Sequence, residues 1–377
     1  MDWTSEEKVY IWLDSFPLSR KEKSDLLERA GSAGALMKNL DGIFHSVIKE
    51  KHFGVYNNMA ESLKNAKAFF QKLTDGYLAE KVIPITKLSP LYPEALKKDA
   101  AAPLVLYAKG DVSLLNTEAF AVVGSRTTGE KIMRLGKQIA KELSTLFTVI
   151  TGTADGGDEA AALGAIAGSG KVICVCAGGF SSLPKQSDGF LQDVKKRGLL
   201  LAAYPPEMGV RNFSFEERNE LIAKLAVGTL VLSAGEKSGA LITAKYTAKF
   251  QKPLFAIPYP PENEAGKGCN ALIKNGAFLT ESAEDIFQKL ERFPSEAPKD
   301  DKTAPTREKR EETLTDGEEK IVSVLQAESE ISVTALSQKL GVPAFKLGAT
   351  LTSLEIKGYI LRIGGNRIAY AKNTRQA

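Results

Sequence analysis

With 377 residues, 43% of them apolar and 25% charged, the chain has the composition of a soluble globular protein and the length for two or three domains. Fifty Lys and Arg against 46 Asp and Glu leave a net charge of +4, a mild basic excess that suits nucleic acid without demanding it. No apolar run reaches membrane-spanning length and no charged-plus-apolar leader follows Met1, so a cytoplasmic protein without a membrane partner is expected.

Residues 1–78 read as an all-helical region, a small bundle of the SAM or helix-hairpin kind. Helical apolar spacing runs over 7–15, 20–30, 33–40 and 55–73, punctuated by Gly31 and Gly42, and Thr4-Ser5-Glu6-Glu7 resembles an N-terminal capping signal. Such a bundle serves contact with nucleic acid or protein, or is a packing module without a ligand. His45 and His52, both in this region, are the two histidines of the chain, which argues against a Ser-His-Asp or Cys-His catalytic arrangement in its centre.

From residue 79 to 293 the pattern is β/α alternation. Strands are expected at 82–85, 104–107, 119–123, 147–151, 171–177, 199–204, 228–232 and 253–257, with helices at 131–147, 158–167, 188–196 and 238–250. The fold class is therefore α/β, with a mostly parallel, extended Rossmann-like sheet at its centre. Ligands of such sheets bind beyond the carboxyl ends of the strands, where the strand order switches. Cys174 and Cys176 share one face of a strand and have no second pair to complete a metal site, so they read as buried apolar residues. No metal and no cofactor are expected.

The loops at the strand ends carry the chemistry. The run Ala121-Val122-Val123-Gly124-Ser125-Arg126-Thr127-Thr128-Gly129 is a strand, a glycine turn and a helix start. That arrangement aims N–H groups and a helix N-terminus at an anion. Ser125 and Thr127 add hydroxyls, and Arg126 adds a guanidinium fork suited to phosphate. An ordinary βα turn with a solvated arginine is the competing reading. Ser238-Gly239-Ala240-Leu241-Ile242-Thr243 opens another helix after a strand and makes a second cradle. Lys185, Arg211 and Arg218 lie on neighbouring loops, and Phe213 and Phe215 stand among these cations, as a stacking platform for unpaired bases requires. With a helix expected to start at Glu216, Phe215 is expected to stack on a base and Phe213 to pack inward.

A nicotinamide-cofactor site fits poorly. The glycine turn is Gly124-x-x-x-x-Gly129 rather than G-x-G-x-x-G, and the second strand ends at Thr151-Gly152-Thr153, where a ribose-binding acid would stand. A phosphate-binding P-loop fails for want of G-x-x-x-x-G-K-[ST].

Taken in order, these residues resemble the DprA/Smf family of DNA-processing proteins of natural transformation. The matching stretches are Val123-Gly124-Ser125-Arg126, Thr151-Gly152-Thr153-Ala154-x-Gly156-x-Asp158-x-Ala160-Ala161, Pro184-Lys185, Tyr204-Pro205-Pro206 and Phe215-x-x-Arg218-Asn219. Ser238-Gly239-x-Leu241-Ile242-Thr243 and Gly268-x-Asn270-x-Leu272-Ile273 continue the series, and together they span roughly 80–290. Departures include Ala162 where the family has His and Ala202-Ala203-Tyr204 where it has Ser-Glu-Tyr, so the chain reads as a divergent member.

The resemblance implies a protein that binds single-stranded DNA and delivers a RecA-type recombinase to it, without catalysis. It places phosphates on Gly124, Ser125 and Arg126, positive charge at Lys185, and an aromatic with its partners at Phe215, Arg218 and Asn219. With Thr127, Ser238, Gly239, Thr243 and Asn270, these form the expected DNA-binding set. A homodimer is the expected assembly. The alternative is a Rossmann-type enzyme hydrolysing a nucleotide or nucleoside phosphate, but its Pro-Gly-Gly-x-Gly-Thr-x-x-Glu stretch does not occur. A scaffold with a vestigial sheet edge is the third reading.

Residues 294–312, with three prolines and dense mixed charge, read as a flexible linker. Helices are then expected from Leu314 on, at 333–340 and at 343–357, followed by a hairpin of 359–363 and 367–371 around Gly364-Gly365-Asn366. Residues 313–372 therefore suggest a winged helix, a tail the family often carries. Its helix 343–357 and a wing with Arg362 and Arg367 would meet DNA, although the only basic residues on that helix are Lys346 and Lys357. A protein-contact or dimer role stands equally open.

Overall fold

A computed structural model describes residues 3–48, 52–183, 189–292, 315–328, 330–343, 347–348, 350–351, 353–354, 359–363 and 367–370. The chain divides into two compact units, 1–297 and 298–377. Among the described residues no helix is long and apolar enough to cross a membrane. The expected linker 294–312, Lys185, Lys346, Lys357 and the hairpin tip at 364–366 lie outside the described residues.

Among the described residues, the first unit opens with the helices α1 (Ser5–Asp14), α2 (Arg20–Ala30), α3 (Ala33–Lys38), α4 (Leu40–Val47), α5 (Phe53–Lys64) and α6 (Ala66–Ala79). Thr4 and Glu7 form a capping box on α1, and Ser19 and Glu22 form one on α2. Each such cap is worth about 1 kcal/mol of helix stability. The single helix expected over 55–73 is two, because Asn65 leaves the helical region with φ −116° and ψ 36°.

Among the described residues, nine strands follow in one sheet: β1 (Ile83–Thr86), β2 (Val105–Gly110), β3 (Ala119–Val123), β4 (Thr148–Thr151), β5 (Val172–Cys176), β6 (Leu199–Ala202), β7 (Ala226–Val231), β8 (Leu254–Ala256) and β9 (Phe278–Leu279). The order is β1-β2-β6-β5-β4-β3-β7-β8-β9, so the chain leaves β3 toward β4, β5 and β6 and later returns on its other side with β7 and β8. Pairs from β6 through β9 are parallel, while β1 and β2 add an antiparallel flank.

Every residue of β3, β4, β5 and β6 is buried, as expected of strands covered on both faces. Alternation sorts their side chains. Phe120 and Val122 join α8 (Glu130–Leu143), α9 (Gly157–Ala167), α10 (Phe190–Arg197) and α14 (Ala283–Leu290), whereas Ala121 and Val123 join α7 (Glu94–Lys97), α11 (Asn212–Leu225), α12 (Ala240–Lys249) and α13 (Lys267–Lys274). All three cysteines are buried.

The N-terminal helices share the first of these cores and are tied to the sheet by a buried polar group. Asp14 Oδ1 accepts from Lys23 Nζ at 2.9 Å, and Tyr107 Oη of β2 donates to Asp14 Oδ2 at 2.9 Å. Arg20 reaches Glu217 on α11 at 2.9 Å, and Tyr204 donates to the same carboxylate.

The second unit contains α15 (Asp316–Glu328), β10 (Glu330–Ser332), α16 (Val333–Leu340), β11 (Ile360–Ile363) and β12 (Arg367–Tyr370). Residues 347–348, 350–351 and 353–354 are also helical, inside the span expected as 343–357. The sheet order is β10-β12-β11, all antiparallel. Leu325, Leu336, Leu351, Leu354, Ile360 and Ile368 fill its core. Arg367 lies 2.7 Å from Glu330.

Candidate nucleic-acid interface

The strand order reverses at β3, so the turns after β3 and β7 open side by side at the carboxyl edge of the sheet. A cavity of about 350 Å³ lies there. The turn after β3 contributes Gly124, Ser125 and Arg126, α11 contributes Phe215, Arg218 and Asn219, and the start of α12 contributes Ser238, Gly239 and Thr243.

The turn after β3 is held from within. Ser125 donates its N–H to Ser233 O at 3.0 Å, and Gly157 donates to Ser125 O at 3.1 Å. Ser125 Oγ and Thr127 Oγ1 stand 2.9 Å apart, which keeps exposed Thr127 beside the turn but off the cavity wall. A Cβ on Gly157 would come within 2.4 Å of Gly124 Cα, so this approach of α9 to β3 requires glycine. With Ser125 N–H spent internally, Arg126 N–H and Gly239 N–H have no hydrogen-bond partner among the described residues. One stands on each turn flanking the switch in strand order.

Arg126 is exposed, and its guanidinium forms no ion pair among the described residues. Its Cζ lies 6.0 Å from the centroid of the half-buried Phe215 ring. Phe213 is 49% exposed, which overturns the expectation that it packs inward. The reason is the helix start: α11 begins at Asn212, where Ser214 Oγ accepts from Arg211 N–H at 3.0 Å. Residues two apart on a helix stand about 200° apart, so Phe213 and Phe215 face opposite ways. Phe213 and Arg211 line a different cavity, of about 640 Å³, beside α1 and α2.

Arg218 is buried and paired. Its Nη1 donates to Asp158 Oδ2 at 3.3 Å, and Asp158 also accepts from Gly124 N–H and Ala154 N–H, both at 3.4 Å. Burial raises the Asp158 carboxyl above its ordinary range, against the pull of Arg218 and the two backbone donors. Arg218 Nε and Thr243 Oγ1 are buried without a hydrogen-bond partner among the described residues. Asn219 Nδ2 donates to Gly239 O at 3.3 Å and so ties α11 to the start of α12.

Asn270 stands outside this cavity. Its amide accepts from Tyr259 N–H at 3.0 Å and donates to Tyr259 O at 2.9 Å, clamping the loop after β8. Asp158 had no role assigned from sequence. The signal for it was one of two adjacent carboxylates, Asp158 and Glu159, at the start of an alanine-rich helix, which helix capping would explain equally well.

Two family models match the chain. The model for DNA recombination-mediator protein A covers residues 84–291, and the DprA winged helix domain covers 304–366. The chain is 32% identical to the DNA processing protein DprA of Bacillus subtilis over 61% of its own length and 80% of that protein. It is 29% identical to protein Smf of Synechocystis over 91% and 92% of the two chains. The X-ray structure of DNA processing protein A from Streptococcus pneumoniae superposes with a TM-score of 0.62 at 27% identity, covering 77% of this chain and 99% of that one. The match of the first model over 84–291, more than half of the chain, on a mostly parallel α/β core, makes the chain a member of the DNA recombination-mediator protein A family.

Proposed function

We infer that this protein binds single-stranded DNA, without sequence preference, in the cavity between the β3 and β7 turns and passes the strand to a RecA-type recombinase. The observation that carries the reading is the pairing of an uncompensated, exposed Arg126 with the half-buried ring of Phe215 at the switch in strand order. Phosphate needs the first and an unpaired base needs the second. Arg126, with its side chain and its own N–H, and Ser125, Thr127, Ser238 and Gly239 would hold phosphate oxygens, and Lys185, outside the described residues, is kept as a DNA ligand on the family resemblance alone. Arg218, Asn219 and Thr243 would shape the floor, and Asn270 would act through the loop it clamps.

The protein acts as a mediator and not as an enzyme in this reading. Among the described residues Asp158 is the only carboxylate lining the cavity, and it is paired with Arg218, so no second carboxylate stands beside it there to share acid–base work. A cytoplasmic homodimer is part of the same reading. Phe278 and Leu279 on the edge strand β9 are 36% and 52% exposed, and an apolar sheet edge favours a second copy. So is a working division into a helical segment 1–78, a core 79–293, a linker 294–312 and a tail 313–372.

Fluorescence anisotropy with single- and double-stranded oligonucleotides, beside a nucleotide hydrolysis assay, tests the reading. Preferential binding of single strands with no hydrolysis supports it. Turnover of a nucleotide that competes with DNA would replace it with the hydrolase.

A further inference from the structure

We propose that Asp158 is a positioning residue for single-strand binding, acting through Arg218. The proposal rests on the reading that this cavity takes DNA. A carboxylate lining an anion site lowers the local positive potential, so its presence is explained by what it holds in place. Asp158 is 4% exposed and joins three walls of the cavity: Gly124 at the end of β3, Ala154 in the loop after β4, and Arg218 on α11. The space for the pair is set by Gly152. A Cβ there would lie 1.5 Å from Arg218 Nη1 and 2.2 Å from Asp158 Oδ2. With Nη1 turned to Asp158, the guanidinium orientation is fixed, and Nε remains without a partner.

The obvious rival is that Asp158 only neutralises a buried arginine. The two roles predict opposite signs. Asp158→Asn keeps the shape and gives the cavity one more positive charge. A neutralising role then predicts equal or tighter binding of single strands. A positioning role predicts weaker binding, by about 10-fold, as loss of a charge-assisted contact implies.

The experiment measures oligo-dT binding by anisotropy, and thermal melts, for the full chain as wild type, D158N, R218A and the double variant. The expected result is a D158N loss that vanishes in the R218A background, because neither residue then orients the other. Equal or tighter binding by D158N, or losses that simply add, overturns the proposal. Should D158N not melt cooperatively, Gly152→Ala carries the test. It keeps both charges but displaces the pair, and an unchanged affinity in that variant overturns the proposal. Failure of the wild type to bind any single strand would instead reject the DNA reading itself.

Discussion

The guanidinium carbon of Arg126 stands 6.0 Å from the ring centroid of Phe215, so one cation and one aromatic from separate elements meet at the sheet edge. The turn after β3 carries the first and α11 carries the second. In the proposed reading, a nucleotide entering there would meet a phosphate ligand and a stacking surface together.

Phe215→Ala should reduce single-strand affinity about 5- to 100-fold, the equivalent of about 1–3 kcal/mol of stacking, and leave the melting temperature nearly unchanged. Phe213→Ala, on the opposite side of α11, should alter stability by no more than about 0.5 kcal/mol and spare binding. Anisotropy and thermal melts of both variants check this. A large loss of stability in Phe215→Ala with binding intact would make that ring a core residue.

Arg126→Ala should weaken binding of all sequences alike, by roughly 1–3 kcal/mol. For the wild type, affinity should fall steeply between about 50 and 200 mM salt, and the variant should lose about one unit of that slope. Salt titrations of both proteins decide it. Identical slopes would leave Arg126 a solvated turn residue.

Lys23→Met should destabilise the first unit by about 3–5 kcal/mol, because it breaks a buried ion pair and leaves the Asp14 carboxylate, among the described residues, with the Tyr107 hydroxyl as its side-chain partner. Urea denaturation gives the value. A loss under about 1 kcal/mol would show that the Lys23–Asp14 pair contributes little to holding the helices on the sheet.

The thiols should be inert in the folded protein. Burial pushes Cys176 and Cys269 up to about 12, and Cys174 rises in the same direction. Titration with a disulfide reagent at neutral pH should find no reactive thiol until denaturant is added, and then three. The native state holds the Cys176 proton longer than the unfolded chain. Stability from this group is therefore complete below pH 9 and is lost as pH rises toward about 12. Cys176→Ala should flatten that part of the stability profile. Rapid labelling of the native protein would show that the strand opens.

A chain ending at Arg292 should remain folded and keep most of its single-strand affinity, and limited proteolysis of the full chain should cut first within 294–312. Unfolding on truncation would move the boundary.

Much of the α/β core was legible in the residues alone. The strand 119–123 and the helix 20–30 match their observed bounds, because an apolar run bounded by a glycine turn and a capped, Gly-terminated helix are local signals. The meeting of Gly124, Arg126, Phe215 and Ser238 was legible through the alternation of strands and helices, which brings loops to one edge.

Tertiary structure decided the rest. Whether α11 starts at Asn212 or Glu216 is a matter of a few residues in sequence, yet it turns Phe213 from core to solvent. Arg218 read as one of the cations gathered at the sheet edge, and only the packing shows that it is the buried partner of Asp158, 60 residues away. Asn270 read as a DNA ligand, and its amide bridges Tyr259 outside the cavity. Local pattern reports which face a residue belongs to in its own element. Which charge meets which across the sheet edge depends on the packing of elements distant in sequence, and periodicity carries no record of that.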